Sequence, residues 1–480
     1  MKIVLINPPI RTRDKPRHIP HGLAIIANII RKRFRDLTIH FIDWNAHRFT
    51  ENELVSLLRS LEFDLVITGG LIPVYNRLIR LSNIIKAINP RAIILAGGSA
   101  AMSVPELLLQ HSNVDIVCNG EGEHTVVELV ELLKDDIEAD LSNVKGITFK
   151  ARDGRLVKTA SRPLIQDLDI ESDMPAYDLL PMEIYLKNHI IGFGRDIDFI
   201  SSRGCPFHCT FCYQPWGRRF RGHSVEFIKD VIMYLKRKYG VQFVSFQDDE
   251  FMAIKARLFE FCETRNRHFP DIRWSCTGRA NLVDEEIIKT VRESGCCSVS
   301  YGFESGSPRM LKSMRKAITI EQMERAVQLN RKYGLPVPVS FILGMPGEDA
   351  ESCKETVEFC KRNNLHLRSL MFATPYPGTE LFEFALETGR ITRKGLHDFV
   401  MKLGDARDFV INLTDSFSDE ELKNKWHEMV EEVDKHYEPL SQEEMEKRIR
   451  ALYGDLAEEY FQLSPEDRVH RAQHGAIDLF

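Results

Sequence analysis

The sequence predicts an α/β protein in successive parts. A doubly wound parallel sheet spans residues 1–150, a connector 151–194, a partial (β/α)6 barrel 195–380, and a helical C-terminal region 381–480. Three observations lead there. Nearly continuous apolar runs alternate with helix-period segments over the first 150 residues, the pattern of parallel strands buried on both faces. A second alternation with a regular beat begins near residue 195. Beyond 381 the chain turns to charged amphipathic stretches such as SDEELKNKWHEMVEEVDKHY and SQEEMEKRIRALYGDLAEEYF, each opening on Ser before acidic residues, a helix-start signal.

The first five strands are expected at 2–8, 37–43, 64–70, 92–98 and 115–120. Between them, Leu23, Ile26, Ile30 and Phe34 share one face of a helix over 22–34, and a further helix is read over 77–88. Polar and glycine residues gather after the strands as NPP, DWN, TGG, AGGSAA and NGEGE. Ligands of open α/β sheets bind at the carboxyl ends of strands, where glycine lets the backbone come close. The candidate binding positions there are Pro8, Gly69, Gly70, Gly97, Gly98, Ser99, Gly120, Glu121 and Gly122. ARDGR at 151–155 reads as a hairpin turn. In the second part strands are expected near 197–202, 241–247, 272–277, 297–303, 337–343 and 367–373, with helices such as 225–239 and 320–333 between them. Six strand–helix units fall short of an eight-stranded barrel of about 250 residues. The charged helices beyond 381 read as a solvated cap, or as a lid or partner surface.

Composition sets the bounds. At 480 residues, 43% hydrophobic and 28% charged, the chain is not collagen-like, disordered or a disulfide scaffold. A net charge of −6 gives no general drive toward nucleic acid or acidic membranes, so no nucleic-acid partner is expected. The opening MKIVLINPPIRTRDKP has only a short apolar run ending at two prolines, and no window approaches the ~18–20 apolar residues of a transmembrane segment. A cytoplasmic location is the expectation.

Three of the ten cysteines, Cys205, Cys209 and Cys212, crowd into SRGCPFHCTFCY, just after the first strand of the second part. The other seven are scattered and read as small core residues. Carboxyl-end loops are where barrel enzymes place their chemistry, and in a reducing compartment such a cluster reads as metal-binding or catalytic. Zinc usually takes four protein ligands; no second cysteine pair is suitably spaced, though His208 could be recruited. A disulfide would leave one thiol over. A [4Fe–4S] cubane is normally held by four thiolates, so three leave one iron open to a substrate or cofactor.

CPFHCTFC is a CxxxCxΦC motif with Phe211 before the last cysteine, and it resembles the signature of the radical S-adenosylmethionine enzymes. The resemblance covers about 195–380. It implies a [4Fe–4S] cluster on the three thiolates, its open iron chelating S-adenosylmethionine, which one electron cleaves to a 5′-deoxyadenosyl radical. FQDDEF stands at the place of the family's glycine-glycine-glutamate segment, with Asp248 and Asp249 replacing the glycines; that segment meets the methionine amino group. TGRAN brings Arg279 after the third strand, and Glu304 in YGFESGS resembles the acid that binds the ribose hydroxyls. SFILGMPGE, with Ser340 and Gly344, is similar to the segment near the adenine, beside which Phe211 would also lie. Tyr301 and Tyr376 end predicted strands and are the candidate catalytic residues toward substrate.

The preceding sheet, with INPP, HGLA, AGGSAA and NGEGEHT, resembles the cobalamin-binding subclass of the same family, and so implies a Rossmann-like domain with cobalamin at its strand ends. A nicotinamide would need G-x-G-x-x-G, where this chain has NPPIRT. No D-x-H-x-x-G string occurs, so no histidine is expected below the cobalt. The implied activity is methyl transfer to carbon; the alternatives are radical cyclisation or oxidation, since SSRGCPFHCTFC with WGRRFRGHS also resembles the anaerobic magnesium-protoporphyrin monomethyl ester cyclases, or a non-enzymatic iron–sulfur sensor or electron carrier. Expected partners are a small-molecule, lipid or natural-product substrate and a low-potential donor such as flavodoxin or ferredoxin, for which Arg218, Arg219 and Arg221 offer a basic run.

Overall fold

The structure, a computed structural model, describes residues 1–10, 14–187 and 194–462. It forms two compact units, Met1–Tyr185 with Lys394–Gly404, and Leu186–Arg393 with Asp405–Phe480.

In the first unit β1 (Lys2–Asn7), β2 (Thr38–Asp43), β3 (Leu65–Gly69), β4 (Ile93–Gly97) and β5 (Ile116–Cys118) are parallel. They match the five apolar runs within two residues at each end. β6 (Ile147–Lys150) and β7 (Leu156–Lys158) add antiparallel, joined by the ARDGR turn, where the Ala151 N–H donates to the Arg155 carbonyl at 2.8 Å. The order is β2-β1-β3-β4-β5-β6-β7. The chain moves from β1 to β2 on one side and then crosses back to β3 on the other, so the topological switch lies between β1 and β3, where open sheets bind ligands at their carboxyl ends. Ile3, Leu5, Leu65, Ile67 and Leu95 of the sheet pack with Ile26 and Ile30 of the helix His21–Arg33 and Leu129 of the helix Gly122–Asp135. Each such side chain contributes about 1.5–3 kcal/mol on burial.

The carboxyl ends of β3 and β4 touch backbone to backbone. A Cβ on Gly69 would sit 2.3 Å from the Gly97 carbonyl oxygen, and one on Gly98, at φ +70°, would sit 2.5 Å from that of Gly70. Only glycine closes this contact.

The second unit opens with β8 (Asp196–Phe199), followed by a short antiparallel ladder of β9 (Ser202–Arg203) and β10 (Arg221–Gly222). Then come β11 (Phe243–Phe246), β12 (Arg273–Gly278), β13 (Cys296–Glu304), β14 (Val339–Leu343) and β15 (Leu370–Phe372). β8 and β11 to β15 form one parallel sheet in chain order, with β8 and β15 as its edges, and the strand–helix repeat of the sequence is realised as an open arc. Phe246, Phe251, Phe261 and Trp274 meet edge-on or offset with centroids 4.3–6.1 Å apart, and the Trp274 indole N–H donates to the Ser294 carbonyl at 2.8 Å.

The charged helices beyond 381 cover the sheet from two sides. In the helix Asp419–His436 the Trp426 indole donates to the Leu370 carbonyl at 2.8 Å, which shields the β15 edge. The helix Gln442–Tyr453 meets the starts of the strands: Cys297 Sγ donates to the Leu452 carbonyl at 3.2 Å, and Tyr453 is buried against Phe243. This helix closes the amino end of the sheet, opposite the carboxyl-end loops.

Gly69→Ala is expected to lower the stability of the first unit by about 2–3 kcal/mol, because backbone cannot yield to the new methyl. Gly22→Ala, whose Cβ meets nothing within 4 Å inside a helix, is expected to raise it by up to about 1 kcal/mol. Urea unfolding of both variants followed by circular dichroism checks the contrast.

Candidate functional site

The three cysteines stand on the loop between β9 and β10, and that loop is held at every stage. At its entrance Asp248, 3% exposed, accepts the Ser201 N–H and the Ser201 hydroxyl at 2.6 Å each and the Ser202 hydroxyl at 2.5 Å. The Asp249 carboxylate accepts the Gly204 N–H at 3.1 Å. Gly204 must be glycine: φ is +84°, and a Cβ there would lie 2.4 Å from the Arg219 carbonyl oxygen. Between the cysteines, the Thr210 N–H donates to the Met314 carbonyl and the Thr210 carbonyl accepts from the Leu381 N–H, both at 3.0 Å. Gln214 and Arg218 side chains both donate to the Phe207 carbonyl, at 3.1 and 2.5 Å, and Arg221 donates to the Trp216 carbonyl at 2.9 Å. Arg218 and Arg221 of the basic run thus brace the cysteine loop, while Arg219 stays exposed.

All three thiols are free; Cys209 is buried and Cys205 half-buried, while Cys212 keeps solvent contact. Desolvation first, and neighbouring thiols and carboxylates second, raise the Cys205 thiol and push Cys212 up to about 12. The nearby Lys316 charge pulls Cys212 the other way. Among the described residues no three His, Cys, Asp or Glu side chains converge on a single-ion site.

Carboxylates and cations ring this loop. Burial raises Asp248 and Asp249 and pushes Glu250 up to about 7, while Arg279 and Lys316 draw Glu250 down. Arg279, 6% exposed, directs Nη1 to Cys209 Sγ at 3.7 Å, with its guanidinium 3.8 Å from the Phe207 ring centroid. Its Nε and Nη2 are buried without a partner. Lys316 donates to Glu304 at 2.9 Å in a buried ion pair, 5.9 Å from the Phe211 ring centroid. Glu304 itself has φ +67°, and Gly302 leaves room for its carboxylate, which a Cβ would meet at 2.3 Å.

Several residues singled out in the sequence take different places. Both Asp248 oxygens are taken by Ser201 and Ser202, so this carboxylate braces the loop instead of facing a ligand. Tyr301 lies on the helix-facing side of β13, 2% exposed, its hydroxyl accepting from Asn330 at 2.8 Å; it is a core residue and is not presented to substrate. Tyr376 is half-buried in the turn after β15, where its carbonyl accepts from Thr379. Ser340 on β14 and Phe211 on the cysteine loop are half-buried, and Gly344 follows β14 at φ +95°. Sequence reasoning misses Glu250 and Lys316. Glu250 is the third residue of the DDE segment, standing where the family has its glutamate; Lys316 carries no motif.

In the first unit Pro8, Gly69, Gly70, Gly97, Gly98, Ser99, Gly120, Glu121 and Gly122 all fall at the carboxyl ends of β1, β3, β4 and β5, which are neighbours in the sheet. Their duties differ. Glu121 is buried and accepts the Ile165 N–H at 2.6 Å, which fixes the returning chain. Gly120, at φ +114° with nothing within 4 Å of a Cβ, leaves its backbone uncovered. Beside Pro8, Asp43 accepts from Asn7 at 2.8 Å, Ala46 at 3.0 Å and the Tyr185 hydroxyl at 2.6 Å.

Residues 199–360 match the model of the Radical SAM superfamily, and residues 9–130 that of the B12 binding domain. The chain is 35% identical over 394 residues to an uncharacterised methyltransferase of Pyrococcus horikoshii, covering 80% of this chain and 83% of that protein. The chain belongs to the cobalamin-binding radical S-adenosylmethionine enzymes. It is also 29% identical to an anaerobic magnesium-protoporphyrin IX monomethyl ester cyclase of Rubrivivax gelatinosus, over 72% of this chain and 62% of the other. The structure of the radical S-adenosylmethionine methyltransferase TsrM from Kitasatospora setae shares its fold, with a TM-score of 0.73 and 15% identity over 99% and 98% of the two chains.

The residues present fit the family's cofactors. The radical S-adenosylmethionine unit offers three free thiols on one braced loop, with the fully desolvated, unpartnered N–H groups of Arg279 beside Cys209, donors suited to an anionic cluster. A cubane binds each thiolate at a different iron. The cobalamin-binding unit offers glycine-rich strand ends at its topological switch.

Asp248→Ala leaves three donors without an acceptor. It is expected to cost the radical S-adenosylmethionine unit about 2–4 kcal/mol and most of its iron after anaerobic reconstitution, measured by chemical unfolding and iron content. A pH effect follows from Glu348, which accepts the Gly344 and Met345 N–H groups at 2.5 and 3.2 Å. Burial pushes its carboxyl from 4.5 up to about 7. Its raised folded value means that its contribution is complete below pH 4.5 and is lost as pH rises through about 7. Glu348→Gln is expected to flatten the stability profile between about pH 4.5 and 7 by up to about 3 kcal/mol, read from urea midpoints across that range.

Proposed function

We propose that the chain transfers a methyl group from S-adenosylmethionine to an unactivated carbon of a small-molecule, lipid or natural-product substrate. The observation that carries this reading is the pairing of a three-thiol loop with a cobalamin-binding sheet in a chain 35% identical to a methyltransferase. When bound, the cluster supplies the electron that cleaves the sulfonium, and cobalamin carries the methyl group.

The chain's own residues bind, orient and shield. Cys205, Cys209 and Cys212 are the cluster ligands. Asp249 and Glu250, next to the cysteine loop, suit the methionine amino group. Glu304, held by Lys316, takes the ribose hydroxyls, while Phe211, Ser340 and Gly344 border the adenine. Backbone at Gly70, Gly98, Ser99 and Gly120 approaches cobalamin. Holding the reactants in line lowers the barrier through lost translational freedom. A low-potential donor such as flavodoxin or ferredoxin delivers the electron, and exposed Arg219 lies on the side of the cysteine loop that meets solvent.

The test is product analysis of anaerobically reconstituted protein with S-adenosylmethionine, a strong reductant and added hydroxocobalamin. Both S-adenosylhomocysteine and 5′-deoxyadenosine are expected. Omitting cobalamin removes the first, and Cys209→Ala reduces the second at least 100-fold. Formation of 5′-deoxyadenosine alone in the presence of cobalamin would overturn methyl transfer and favour the cyclase-type outcome.

A further inference from the structure

We propose that Arg279 sets the reduction potential of the cluster, acting through Cys209 as a positioning residue. This rests on the cluster reading above and concerns a property that reading leaves open: how easily the electron enters.

Nη1 of Arg279 lies 3.7 Å from Cys209 Sγ, within hydrogen-bonding range for sulfur. The guanidinium is fixed in that pose by the Phe207 ring, 3.8 Å away, and Phe207 belongs to the same CPFHC stretch that supplies Cys205 and Cys209. The cation is therefore packed on the same stretch as the thiol it meets. It is 6% exposed, and among the described residues no carboxylate pairs with its nitrogens within 4 Å. Its charge is not screened by water, and Glu250, the carboxyl on which that charge acts, lies outside ion-pair contact. Of the other buried cations near this loop, Lys316 is paired with Glu304 and Arg221 donates to the Trp216 carbonyl. Arg279 is the one whose guanidinium meets a cysteine sulfur.

One electron leaves a low-potential donor, which is oxidised, and enters an assembly of cluster and three thiolates that is already anionic. No bond is made or broken in this step. A desolvated cation stabilises the more negative, reduced state more strongly than the oxidised one, because Coulomb energy grows with charge and is large at low dielectric. A hydrogen bond to a ligating sulfur acts in the same direction, and hydrogen bonds to sulfur are among the features that set cluster potentials. Both effects raise the potential, so that a donor of given strength reduces a larger share of the protein.

The experiment is a dye-mediated potentiometric titration of the full-length reconstituted protein, followed by electron paramagnetic resonance, with iron and sulfide measured per chain. Arg279→Gln is expected to hold the cluster and to lower the midpoint by about 59 mV or more, a tenfold change in the one-electron equilibrium. A full cluster whose midpoint stays within about 15 mV of the parent, less than a twofold change, overturns the proposal. Should Arg279→Gln retain no iron, Arg279→Met decides. It keeps an unbranched stem against Phe207 and removes both the charge and the donor; a lowered midpoint there supports the proposal, and an unchanged one overturns it. A parent protein without a four-iron signal overturns the cluster reading itself, and the iron and sulfide content distinguishes that failure from the other.

Discussion

The second unit turns on one carboxylate with no solvent to share. Asp248 follows β11, yet everything its carboxylate accepts from belongs to the start of the cysteine loop after β8. A buried carboxylate is costly unless its oxygens are filled, and three short hydrogen bonds fill them. The exchange is mutual, since the Ser201 N–H and two hydroxyls are also buried there. Arg257 completes the arrangement by donating to the Ser201 carbonyl and hydroxyl at 3.1 and 2.9 Å. The loop that must hold three sulfurs in fixed relation is thereby fastened to the sheet and not left to its own short-range preferences.

The same pairing of charge extends around the loop. Asp249 ties Gly204, Thr210 is held from both sides by backbone, and Glu304 and Lys316 neutralise each other in a pocket largely closed to water. Fixed donors and charges need no reorganisation when a reaction begins, the condition under which electrostatics help catalysis most. Strain is accepted where it serves this end. Glu304 adopts a left-handed backbone conformation that non-glycine residues avoid, and its side chain reaches Lys316 across the space above Gly302.

The strands are legible because parallel strands buried on both faces write themselves as apolar runs. The cysteine loop is legible because packing alone gives no reason for three soft ligands within eight residues. The DDE segment is legible only as a location. Sequence position does not tell which of three adjacent carboxylates is used for bracing, so Asp248 reads as facing a ligand although its oxygens are taken by Ser201 and Ser202. Tyr301 misleads for a related reason: a strand with both faces buried gives no sign of which face a side chain takes, and β13 is further irregular between Gly302 and Glu304. Its partner Asn330 is 29 positions away. Lys316 lies between two residues of positive φ, Arg315 and Ala317, and nothing in its neighbours marks it.

The helix Gln442–Tyr453 has a bearing on synthesis. It is anchored to β13 by a hydrogen bond between Cys297 and Leu452, which are 155 positions apart. A nascent chain will therefore expose the bottoms of β11 and β13 to the ribosome surface and to chaperones long after the cysteine loop has emerged. Metal delivery to the loop has a window in which the scaffold beneath it is still unfinished.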